Sequence, residues 1–95
     1  MGIVRFFAPA NEGLSAVSPV VLRKGKYDVV IYLKDHPPAH VHIFSAEKAA
    51  KIRLELVEVL ENDGYNTREI GQMLALVRDH QAMLFDEWNK YHPAR

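Results

Sequence analysis

The chain contains no cysteine. That excludes disulfides, thiolate metal sites and a cysteine nucleophile, and it fits a reducing compartment. An excess of either charge is missing too: 12 basic and 12 acidic residues leave a formal net charge of zero. A dedicated electrostatic nucleic-acid binder rests on a basic surface, so that class is disfavoured and only a local basic patch is left open. No apolar run is long enough to span a bilayer. The N-terminal residues lack the charged, apolar and small-residue order of a signal peptide. The expected location is therefore cytoplasmic, without a membrane partner. A phosphate-binding glycine loop, a nucleophile elbow and a His-Glu-x-x-His zinc helix are also missing.

What is present is 95 residues with an ordinary apolar share of 48%. The expectation is a single domain over residues 1–95, near the small end of the range. A chain this short buries a limited fraction of its surface, so pairing with a second copy or a partner is an open expectation.

Residues 1–18 read as an N-terminal arm or edge strand, with Ile3 to Ala8 as the β-prone part. Residues 19–56 read as β-hairpins. The first turns at Gly25 between Pro19–Arg23 and Tyr27–Leu33. Its second arm is apolar on both faces, as in a strand that is interior or covered. His40–Phe44 resumes β character after a bend. Residues 49–56 alternate, with Ala50, Ile52, Leu54 and Leu56 inward and Lys51, Arg53 and Glu55 outward. Val57 to Glu61 is expected as a turn or a single helical turn. Asn66 or Thr67 caps a helix over residues 66–91, with Glu69 at the capping-box position. Its apolar stripe is Ile70, Leu74, Val77, Leu84, Trp88 and Tyr91, with Gln81 in the one gap, and Pro93 stops it. Leu76 and Met83 lie off the stripe and mark either a subunit contact or scattered exposed apolar residues. The expected fold class is α+β: a small antiparallel sheet of about four to five strands with one long C-terminal helix packed on it.

Chemistry concentrates at the bend Asp35-His36-Pro37-Pro38-Ala39-His40-Val41-His42, which holds three of the five histidines. His40 and His42 are two apart in a strand and share a face. His36, four residues before His40, can fold back beside them. Three converging imidazoles are a transition-metal arrangement, typically zinc, with Asp35 as a fourth ligand or an orienting group. Paired histidines can instead act as general base and acid without metal, with Arg53 and Lys51 as candidate phosphate cations. Third, the histidines can simply hydrogen-bond loop carbonyls and order a Pro-Pro bend. His80 and Asp79 fall mid-helix and read as ordinary helix residues.

The bend resembles the Asp-His-x-Pro-Pro-His-[Phe/Val]-His signature of the family called domain of unknown function 4160. Asn62-Asp63-Gly64-Tyr65-Asn66-Thr67-Arg68-Glu69-Ile70 looks like that family's helix entry. Leu84-Phe85-Asp86-Glu87-Trp88-Asn89-Lys90-Tyr91 looks like its Trp-containing ending. Ala39 is the departure, where many members carry a further proline or a different spacing. The resemblance spans roughly residues 20 to 91. It implies small bacterial or phage proteins, often encoded beside domain of unknown function 2442, some of whose members carry a helix-turn-helix. That pairing implies the toxin-like half of a toxin–antitoxin pair.

Three functional expectations follow. The first is a toxin-like protein, acting as a histidine-dependent ribonuclease with His36, His40, His42 and Asp35 as catalytic candidates and Arg53 and Lys51 holding phosphate. The second is a non-enzymatic module that binds a co-encoded small protein or a second copy. The third is a His-rich metal domain, in which zinc fits but is not required by the first two readings.

Overall fold

The computed structural model describes residues 20–93. The expected strand at Ile3–Ala8 and the N-terminal arm lie outside the described residues. Five strands form one antiparallel meander in the order β1 (Val20–Lys24), β2 (Tyr27–Val30), β3 (His40–Ser45), β4 (Lys48–Arg53) and β5 (Glu58–Asp63). Two helices follow, α1 (Thr67–Asp79) and α2 (Gln81–Tyr91). The fold is α+β, as expected.

Tight turns set the sheet. The β1–β2 hairpin closes on Gly25, whose φ of +59° a glycine adopts without steric cost. Lys24 faces Tyr27 across it. The β3–β4 hairpin brings Ser45 opposite Lys48. Between β2 and β3 the chain instead takes the long bend through Asp35 and the two prolines. Period-two alternation then sorts the faces. Val29, Ile31, Val41, Ile43, Ile52 and Leu54 are fully buried. With Met73, Val77 and Leu84 from the helices they form the core cluster. On the opposite side of β3 stand His40, His42 and Phe44, paired in register with Arg53, Lys51 and Ala49 of β4.

Three local expectations are corrected. Of the turn expected over Val57 to Glu61 only Val57 is a turn residue, because Glu58–Asp63 pairs with β4 as an edge strand. Its side chains are mostly exposed, and Glu58, Glu61 and Asp63 load the edge with charge, which discourages pairing with another chain. Leu56 does not continue the inward alternation. It is 61% exposed, because β4 ends at Arg53 and the chain reverses through Val57 in the left-handed region (φ +49°). The C-terminal helix is two helices, interrupted at His80, whose φ/ψ of −117°/20° leaves the helical region. The His80 Nδ1–H donates to the Leu76 carbonyl at 2.9 Å and caps the first helix. Gln81, the apparent gap in the stripe, faces inward and donates to the Leu54 carbonyl at 2.7 Å, tying the start of α2 to the end of the sheet.

The entry to α1 is pinned by a buried carboxylate. Asn66 and Glu69 form the expected capping box. Glu69 is only 5% exposed and also receives Lys26 Nζ at 2.8 Å and Lys48 Nζ at 3.2 Å, one lysine from each neighbouring hairpin. The Lys26 hydrogen bond above all, then the Asn66 N–H and Lys48, outweigh burial and hold the Glu69 carboxyl down at about 2, against an ordinary 4.5. A depressed folded-state pKa adds stability that is complete above pH 4.5 and lost as the pH falls toward 2. In Glu69→Gln, melting temperature measured against pH should therefore be lower at neutral pH and flatter across that acid window. A wild-type slope retained in the variant would assign the acid response elsewhere. Among the described residues, no helix is long and apolar enough to cross a membrane.

Candidate metal centre

The bend and β3 together assemble the site. β3 begins at His40, so its pleat puts His40 and His42 on one face, with ring centroids 5.1 Å apart. Leu54 N–H donates to the Ala39 carbonyl at 2.9 Å, which holds the end of the bend against the end of β4. The other end of the bend is turned back by the Asp35 N–H donating to the Tyr32 carbonyl at 3.3 Å. The Asp35 side chain thereby reaches both rings. Its Oδ2 lies 2.9 Å from His42 Nε2 and 3.2 Å from His40 Nε2. Ligand atoms of Asp35, His40 and His42 all fall within 4.8 Å of one another.

The tautomer of His40 is fixed by its backbone. Its Nδ1 is 2.7 Å from the Pro38 carbonyl, which can only accept, so Nδ1 carries the proton. In the neutral ring Nε2 is then a lone pair, aimed into the cluster. It is buried and has no hydrogen-bond partner among the described residues, although Asp35 Oδ2 is close. The oxygen lies off the line of the ring nitrogen. Ligands of one cation point at the cation and not at each other, and the His40–Asp35 approach fits that; His42 Nε2–H, in contrast, donates to Asp35 Oδ2 at 2.9 Å, and a cation would have to displace that proton. A tetrahedral cation bound at about 2.0–2.2 Å by each donor keeps neighbouring donors roughly 3.3–3.6 Å apart, close to the His40–Asp35 distance of 3.2 Å and longer than the His42–Asp35 distance of 2.9 Å. The Nδ1–H···O=C bond is the outer support that orients a metal-binding imidazole.

His42 completes the set. Burial pushes its pKa down, outweighing the charge and hydrogen bond of Asp35, while His40 and Lys51 push in the same direction as burial. A neutral His42 is the form a metal needs. Tyr32 stands edge-on to the His42 ring at 4.5 Å, and Trp88 lies against His40 at 5.4 Å. His40 is thus the buried member, with a side chain 7% exposed, while Asp35 and His42 open to solvent at 19% and 18%.

The other candidates are placed differently. His36 is exposed and lies outside the cluster. Lys51 stands opposite His42 and Arg53 opposite His40, as cross-strand neighbours on the same face. Both are tied to carboxylates: Lys51 Nζ to Glu61 at 3.2 Å, and the Arg53 guanidinium to Glu58 at 3.2 Å and Glu55 at 3.4 Å. The Pro38 carbonyl is an instance of the loop-carbonyl bonding expected of these histidines, though no particular carbonyl was singled out, and the Trp88 contact was not among the sequence candidates. The first had a local signal, a carbonyl two residues before a strand-initial histidine; the second, made across the fold, had none.

The model of the family described as domain of unknown function (DUF4160) matches residues 27–89, more than half of the chain. The chain belongs to the DUF4160 family. The match takes in the whole bend, both strand histidines and Trp88, so every component of the cluster lies in the part this DUF4160 chain shares with its family. The curated proteins and the solved structures compared with it include no match.

Proposed function

We propose that this DUF4160 chain is a metal-binding domain, with Asp35, His40 and His42 holding one divalent first-row metal ion. The observation that carries this reading is His40 Nε2: a buried lone pair with no hydrogen-bond partner among the described residues, 3.2 Å from the carboxylate oxygen that His42 also meets. Two imidazoles and one carboxylate without thiolates are the donor set of hydrolytic zinc and non-haem iron sites.

The same geometry gives less support to proton exchange between His40 and His42. A general base and acid work best as separate groups on either side of a phosphate, whereas these two ring nitrogens both lie within 3.2 Å of one carboxylate oxygen. Arg53, one of the two phosphate candidates, is also held by two carboxylates, Glu58 and Glu55. The partner-binding reading loses half of its helix patch, since Leu76 is 6% exposed and belongs to the core. A place in a toxin–antitoxin pair rests on the family resemblance, and co-purification with a co-encoded small protein is its test.

Metal-stripped full-length protein titrated with zinc should bind one ion per chain by calorimetry. Asp35→Asn and His42→Ala, each shown folded by circular dichroism, should bind at least tenfold more weakly. The reading fails if zinc dialyses out of the wild-type chain as readily as out of these variants.

A further inference from the structure

We infer that the metal held by Asp35, His40 and His42 keeps an exchangeable coordination position on its Asp35–His42 side, and that this position takes water and small oxyanions. The inference rests on the metal-binding reading and goes beyond it, by assigning an open centre rather than a structural clip.

A structural zinc is closed by four protein ligands, commonly thiolates; a reactive one has three and leaves the fourth position to solvent or substrate. The chain has no cysteine. Among the described residues the cluster offers three ligands, with His36 exposed outside it. The walls are unequal. Trp88 backs His40, whose side chain is almost fully covered, and Tyr32 stands edge-on to His42. Asp35 and His42 keep access to solvent, so a ligand reaches the metal from their side.

Charge selects the class of ligand. A divalent ion with one carboxylate and two neutral imidazoles has a net charge of +1. Lys51 stands directly opposite His42 in the sheet, and its side chain is 27% exposed. Its partner Glu61 is 70% exposed, so the pair that holds Lys51 is weak and its ammonium can turn toward an anion on the metal. The environment is therefore an anion-accepting metal face with an apolar back. Water bound there would be acidified, and an oxygen of a phosphate or carboxylate group could replace it.

Cobalt(II) in place of the native metal gives visible ligand-field bands that report coordination. The full chain loaded with one cobalt(II) should show bands that shift saturably with azide and with inorganic phosphate. Lys51→Ala should bind cobalt(II) unchanged but phosphate roughly two- to fivefold more weakly. Bands unmoved by saturating azide and phosphate would overturn the open position. So would azide sensitivity that appears only in His36→Ala, since His36 would then be closing the site. A chain that never develops cobalt(II) bands fails earlier, at metal binding itself, and removes this inference with it.

Discussion

Adding zinc to the metal-stripped chain should raise its melting temperature by about 10–20 °C once free zinc exceeds its dissociation constant a hundredfold. A ligand that binds only the folded state stabilises it by RT ln(1 + [L]/Kd), about 2.7 kcal/mol at that ratio, and each kcal/mol shifts a domain of this size by about 4–8 °C. The folded state alone brings the donors together: Asp35 comes from a bend, while His40 and His42 are aligned by the pleat of β3. The variants separate metal binding from a merely structural role. If the imidazoles serve only to order the Pro-Pro bend, zinc leaves the wild-type melting temperature where it was, and losing a ring costs stability with or without zinc. If they are ligands, Asp35→Asn and His42→Ala flatten the zinc response while their metal-free melting temperatures stay nearer to wild type. His40→Ala is the poorer diagnostic, because His40 is also packed against Trp88 and its removal leaves a cavity.

Local periodicity made the alignment of the two histidines legible in the sequence. His40 and His42 had to share a face once residues 40–44 were read as a strand, and the hairpins around Gly25 and before Lys48 follow from turn chemistry. The third donor was less legible. Asp35 and His36 are adjacent in an aperiodic bend, and no spacing rule says which turns inward; the structure turns Asp35 in and leaves His36 exposed. The same limit explains β5. Glu58–Asp63 has the polar composition of a turn or loop, and it is a strand only because β4 offers its backbone as a partner. The helix break was hidden for the opposite reason. The apolar stripe runs on in phase through His80, so periodicity alone predicts one continuous helix. The interruption shows in polar contacts instead, with His80 capping Leu76 and Gln81 reaching Leu54.

Trp88→Ala should cost about 3–5 kcal/mol in urea unfolding and lower the midpoint by about 1 M or more. Trp88 is 5% exposed and sits where three parts of the chain meet. Its ring lies 5.4 Å from His40, at the start of β3, and His92 stacks on it at 3.9 Å with the ring planes 17° apart. The His92 Nδ1–H also donates to the Trp88 carbonyl at 3.1 Å, so the C-terminal cap of α2 and the back of the site share one residue. Small domains are stable by about 5–15 kcal/mol, so this truncation removes a large share of the total. Its second effect is on the site. Without the indole, His40 keeps its Pro38 hydrogen bond but loses the surface behind its ring, so more rotamers compete with the metal-binding one. Trp88→Phe restores an aromatic wall and should recover most of the stability and most of the zinc affinity. If Trp88→Ala stays within about 1 kcal/mol of wild type and binds zinc equally well, the link between core and site through Trp88 is refuted, and the bend alone positions the histidines.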